Sequence, residues 1–151
     1  MGLMSSGLLQ TRADALIDDF SLLETWEDRI SHVIDLGRHA APLAAHERME
    51  GNKIRGCASQ VWIVAEPSAS VDGALHVRGQ SDAAIVQGLV TLLAGLYSDA
   101  APAEIVAFDA DAFMARLGLA GALTAQRANG LASMIKAIRA KAAAHLAQSP
   151  G

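Results

Sequence analysis

The sequence predicts an α+β fold in which helices pack on one face of a small antiparallel sheet. Three observations carry that reading. Apolar residues recur at helical spacing in both halves of the chain, two β-rich runs joined by a turn lie between them, and 151 residues suit a single domain with its own core. A composition of 52% hydrophobic and 19% charged residues belongs to a globular chain, not a disordered one.

The elements follow in order. Met1 to Ser6, M-G-L-M-S-S, formally fits a myristoylation pattern through Gly2 and Ser6, but no polybasic second signal follows, so residues 1–7 are expected to be a frayed terminus. Leu8, Leu9, Ala13, Leu16, Ile17 and Phe20 mark a first helix, and a second runs from about Glu24 to Leu36 with Gly37 as its stop. Ala40 to Arg55 shows neither periodicity and reads as a long loop, the kind that tends to be functional. Ser59 to Ala65 and Ala74 to Gly79, separated by the turn signal Ser70-Val71-Asp72-Gly73, form an antiparallel hairpin. Ser81-Asp82 reads as an N-cap and first-turn acid opening Ala83 to Tyr97, a helix so apolar on every side that it belongs at the centre of the fold. Pro102 and Asp109 precede a short helical piece, Ala112 to Leu117, ended by Gly118. Thr124 caps a last helix whose stripe is Leu131, Met134, Ile135, Ile138 and Ala142.

Charge and cysteine usage exclude several functions. A net charge of −4 argues against a nucleic-acid partner, and the central helix is too short to span a bilayer. One cysteine rules out an internal disulfide and any multi-thiolate metal or cluster site, so no cofactor or metal is expected; with no secretory signal pattern, a reducing cytoplasmic setting fits. No Asp or Glu follows Asp111, whereas Arg116, Arg127, Lys136, Arg139 and Lys141 do. Those cations either solvate the last helix or form a docking surface for an acidic partner.

The one thiol, Cys57, stands where a polar loop turns into an apolar run. If the backbone is extended there, Lys53, Arg55 and Cys57 share a face and the two cations favour thiolate, while Val61 and Ile63 farther along that face would raise the thiol pKa instead. Gly56 supplies backbone freedom for the cysteine to move between sheltered and exposed positions. Taken alone, a single Cys beside a strand is most often a small buried hydrophobe. A Cys–His hydrolase or a mononuclear metal site would need one of His32, His39, His46, His76 and His145 nearby, and no spacing predicts that.

The segment I-R-G-C-A-S-Q-V-W-I-V, Ile54 to Val64, resembles the signature of the SufE family (SufE- and CsdE-like cysteine desulfuration accessory proteins), in which G-C-x-S-x-V-W carries an acceptor cysteine. W-E-D-R-I-S-H-V-I-D-L-G (Trp26 to Gly37), S-D-A-A-I-V-Q-G-L (Ser81 to Leu89) and the helix from Thr124 to Lys141 are similar to further family segments in the same order, covering about Phe20 to Leu146. The resemblance implies a fold like that of the U-type scaffold proteins, with one thiol where a scaffold needs several. It also implies a function: Cys57 takes sulfur from the persulfide of a PLP-dependent cysteine desulfurase, stimulates that enzyme, and passes the sulfur to a scaffold complex for iron–sulfur cluster assembly. Such a protein is an accessory of an enzyme more than an enzyme by itself. Between Ala40 and Gly51 the family pattern is not clear, so partner identity cannot be read there.

Other positions carry two readings each. Asp82 either holds the cysteine loop or the partner, or is simply a helix N-terminal acid. Arg127, a cation in the first turn of its helix, is unfavourable with the dipole, which either a specific contact compensates or the helix simply tolerates; the resemblance, which puts an Arg in the matching position, implies a role near the site. Ser59 and Gln60 flank the cysteine and either bond its loop or satisfy strand backbone, and Trp62 is expected in the core. An alternative function is a binding adaptor that activates a desulfurase allosterically with Cys57 incidental. Whether the chain forms a homodimer stays open.

Overall fold

The computed structural model describes residues 2–119 and 121–148, with side chains from Leu8 onward. Its elements are α1 (Gly2–Ser21), α2 (Trp26–Arg38), β1 (Val61–Pro67), β2 (Leu75–Ser81), α3 (Ala84–Tyr97), α4 (Pro102–Ala107), α5 (Ala110–Leu117) and α6 (Ala125–Gln148). The α+β class is as expected. The frayed terminus expected at residues 1–7 falls largely outside the described side chains; the α1 backbone is helical from Gly2.

The hairpin pairs Val61 with Ser81 through Pro67 with Leu75. Alternation then sorts its faces: Val61, Ile63, Leu75 and Val77 are buried, and they meet α3 and α6. On the opposite face Arg78 and Gln80 hold the long loop, through Glu47 and through the Leu43 N–H, which donates to Gln80 Oε1 at 2.8 Å. Two strands would be marginal alone. Single bridges at both edges, Lys53 to Trp62 and Leu75 to Ala100, extend the pairing. Both strands start later than the sequence suggested, β1 because the residues up to Gln60 are taken up by the cysteine loop. Trp62, expected in the core, is half-buried.

Helix α3 lies at the centre as its composition demands: Val86, Leu89, Val90, Leu92, Leu93, Leu96 and Tyr97 are all buried. Its start differs from expectation. The N-cap is Ala83, with no side-chain bond, while the Ser81 hydroxyl accepts from Ala83 N–H and Asp82 turns to the cysteine loop. Asp109 caps α5 by accepting from Ala112 N–H at 3.1 Å, and Gly118 ends it at φ 73°, whereas Pro102 opens the separate helix α4. The long loop, read as irregular, contains two 3-10 turns, Ala45–Glu47 and Glu50–Asn52.

Gly37 is not a stop. Helix α2, capped by Thr25, continues to Arg38, and Gly37 faces Gly88 of α3. A Cβ on Gly37 would sit 2.8 Å from Gly88 N, and one on Gly88 would sit 2.0 Å from Val33 O. The two helices therefore touch backbone to backbone, which only residues without side chains permit. Gly88→Ala is expected to destabilise by at least about 2 kcal/mol through overpacking, read as a lower urea midpoint at unchanged m-value. Gly95→Ala, in the same helix with nothing within 4 Å of the added methyl, is expected to stabilise by about 0.5–1 kcal/mol.

Candidate functional site

Cys57 stands on a short loop closed at its base by main-chain bonds. Ile54 N–H donates to Val61 O at 2.8 Å, and buried Ile54 plugs one side into the core. Across the loop, Gln60 N–H donates to Asp82 Oδ1 at 3.0 Å while Asp82 N–H donates to Gln60 O at 3.3 Å. Between these ties the chain reverses at Gly56, whose φ of 89° a side chain rarely adopts, and a Cβ there would lie 2.5 Å from Ser133 Oγ. The backbone is thus turned, not extended, through Arg55 and Gly56. Lys53, Arg55 and Cys57 do not form the continuous face that an extended strand would give them.

The turn aims the sulfur at helix α6. Cys57 Sγ donates to Gly130 O at 3.5 Å, and a Cβ on Gly130 would lie 3.5 Å from that sulfur. Beside it opens a cavity of about 230 Å³, floored by Val86 and Leu89 of α3 and Met134 of α6, with Ser59, Thr124, Gln126 and Arg127 towards its mouth. Cys57 is half-buried, and burial pushes its thiol above the ordinary 9.0. A hydrogen bond donated by the S–H group favours the same protonated form. In this position the sulfur is a sheltered, weakly nucleophilic thiol, which settles the balance in favour of burial over the two cations.

The site residues read from the sequence separate into three groups. Cys57, Ser59 and Arg127 line the cavity, and Gly56 forms the turn that aims the sulfur. Asp82 ties down the loop instead of capping α3, and Gln60 takes part through its main chain, so its side chain is free and exposed. Arg55 is exposed and does not line the cavity. The sequence reading missed Gly130, although a glycine in the interior of a helix costs about 1 kcal/mol against alanine and so signals a close approach. Among the described residues no histidine lines the cavity and no cluster of three or more potential ligands could hold a metal.

The long loop before Cys57 is anchored by charge. Glu47 forms a bidentate ion pair with Arg78, whose Nε also donates to Glu66 at 3.0 Å. Glu47 further accepts from Ala44 N–H at 3.1 Å, and Asn52 Nδ2 donates to Glu47 O at 2.9 Å, so one carboxylate and its main chain organise both 3-10 turns.

The model of the family described as "SufE: Fe-S metabolism associated domain" matches residues 14–142. The chain belongs to the SufE family. A SufE-like protein of Rhizobium etli is 43% identical over 136 residues, covering 89% of this chain and 92% of the relative. A SufE-like protein of Rhizobium meliloti is 42% identical over 137 residues, covering 90% and 98%. The solution structure of a hypothetical protein from Thermus thermophilus superposes with a TM-score of 0.74 at 17% identity, covering 90% of this chain and 96% of that one; it shares the fold. Membership ties the chain to iron–sulfur metabolism. Among the described residues no helix is long and apolar enough to cross a membrane.

Two outcomes follow for this SufE domain. Iodoacetamide should alkylate Cys57 more slowly in the folded than in the unfolded chain, with its pH midpoint raised relative to that of the unfolded chain, and Gly130→Val should displace the sulfur and speed the reaction. Hydrogen bonds from Arg78 and from Ala44 N–H hold the Glu47 carboxyl at about 2 instead of 4.5. Its contribution is therefore fully present above pH 4.5 and is lost as pH falls towards 2, so amide exchange in residues 40–55 should rise over that window. Glu47→Gln should show the faster exchange already at neutral pH.

Proposed function

We propose that this protein is a sulfur acceptor and carrier: Cys57 takes the outer sulfur from the persulfide of a PLP-dependent cysteine desulfurase, stimulates that enzyme by clearing it, and delivers the sulfur for iron–sulfur cluster assembly. The observation that carries this reading is the position of Cys57. It is the single thiol of the chain, at the tip of a loop whose main-chain ties lie at its base and whose tip is held by one weak thiol hydrogen bond, beside a cavity large enough for an additional sulfur.

The chemistry needs no cofactor in this chain. Cys57 swings out on the Gly56 turn, gives up its proton and, as thiolate, attacks the outer sulfur of the donor persulfide. One sulfur–sulfur bond forms on Cys57 as the donor's breaks, and the donor cysteine leaves as thiolate and takes a proton. No electrons are gained or lost overall. The partner's cofactor supplies the carbon–sulfur cleavage that precedes this step.

Shelter and reactivity are then separated in space. In the cavity the thiol is protonated and slow; outside it loses the burial that raises its pKa and can attack. Once loaded, the outer sulfur returns to the apolar floor of Val86, Leu89 and Met134, where soluble reductants reach it less readily. Arg127, at the mouth without an ion pair among the described residues, offers positive charge to a persulfide anion or to the docked partner. Arg55, Gly56, Ser59, Gln60 and Asp82 form the surface around the cysteine that a desulfurase would meet.

The competing reading, an allosteric activator with an idle cysteine, predicts a different result from one variant. Cys57→Ser should abolish stimulation of the desulfurase while leaving binding to it intact, measured as alanine release alongside a pull-down of the pair. Retained stimulation would favour the activator.

A further inference from the structure

Helix α6 carries a second concave surface on the side away from Cys57. Gly130 and Ala132 lie about 200° apart around the helix. Gly130 meets the sulfur, and Ala132 lies in an open groove of about 500 Å³ with Val106, Ile135, Lys136, Arg139 and Ala143. A second hollow of about 230 Å³ shares Asp111, Ala132 and Ile135 with it and continues to Ala128, so the groove follows roughly 22 Å of helix. Leu146, 41% exposed and seven residues past Arg139, extends the same face. Its floor is apolar. Its charge is positive: Lys136 and Arg139 are exposed without an ion pair among the described residues, Arg139 donates one N–H to Val106 O at 3.1 Å, and Asp111 is the acid among the lining residues.

The opposite charge and shape occur elsewhere on this chain. The corner joining α1 and α2 exposes Leu22 at 79% and Trp26 at 58%, the two most exposed large apolar side chains described. Around them Asp18, Asp19, Glu24, Glu27 and Asp28 are all exposed, no Lys or Arg lies between residues 18 and 28, and none of these acids is in an ion pair among the described residues. An acidic knob with an aromatic anchor and a basic groove with an apolar floor are complementary, and among the described residues neither is occupied within one chain.

We infer that the α1–α2 corner of one copy docks into the α6 groove of a second copy, with Trp26 seated on Ile135 and the small side chains beside it and the corner's acids facing Lys136 and Arg139. A buried tryptophan ringed by charge is the usual make-up of an interface anchor. Each copy carries a net charge of −4, but that repulsion is screened beyond about 8 Å at physiological salt, where the contact pairs are not. The two patches differ, so the contact is heterologous: it occurs twice in a closed pair or repeats along a chain of copies. Cys57 faces the other side of α6 and stays accessible, and the inference does not depend on what that cysteine carries.

Sedimentation of the full chain across a concentration series tests this. The weight-average mass should rise above 15.7 kDa with concentration and return towards it in high salt. Trp26→Ala, and separately Lys136→Glu with Arg139→Glu, should each raise the dissociation constant at least about ten-fold, with unchanged circular dichroism. Asp18→Lys with Asp19→Lys should do the same alone, yet mixing this variant with the Lys136→Glu, Arg139→Glu variant should restore association, since each then supplies what the other lacks. A mass of 15.7 kDa at every concentration, association indifferent to these substitutions, or failure of the mixture to associate would overturn the inference.

Discussion

The sulfur of Cys57 rests against α6 where that helix has no side chain. The contact with Gly130 fixes how deep the cysteine sits, which fixes how much water reaches the thiol, and so its protonation and rate of attack. A larger residue would push the cysteine out, and a helix further away would leave it open on all sides. Much of the remaining fold serves to hold α6 and the loop at that separation. Helix α3 supports both, because Val86 and Leu89 floor the cavity while the Gly37–Gly88 contact locks α3 against α2.

The cysteine loop combines two kinds of restraint. Its base is rigid, fixed by the Ile54–Val61 and Gln60–Asp82 bonds, and the segment before it is clamped by Glu47 to Arg78. Its tip is held by a weak thiol hydrogen bond and by packing. A group that must leave its shelter for a partner and return needs this arrangement: the ties survive the excursion, and the contacts that break are inexpensive ones. Under the carrier proposal, a neutral thiol inside and a reactive thiolate outside then follow from the change in burial, without a base in the site.

Much of this was legible in the residues. The apolar surround of α3 gave its central place, Asp109 and Gly118 bounded α5, and the β-rich runs with the turn signal between them gave the hairpin. The residues around Cys57 matched a family signature, and the comparison of the whole chain bears that membership out. What stayed hidden were contacts between distant segments. Gly37 looks like a helix stop because its reason for being glycine is Gly88, far along the chain. The extended path assumed through Arg55 failed because the left-handed turn at Gly56 depends on Ser133 and α6. Likewise Asp82 has the composition of a first-turn acid, and only the fold shows it spent on the Gln60 main chain.

The most direct test is the intact mass of the protein after incubation with a PLP-dependent cysteine desulfurase and L-cysteine, measured without reductant. The account predicts a gain of one sulfur atom, located at Cys57 and absent from a Cys57→Ala variant. An unchanged mass, while the desulfurase itself accumulates persulfide, would contradict it.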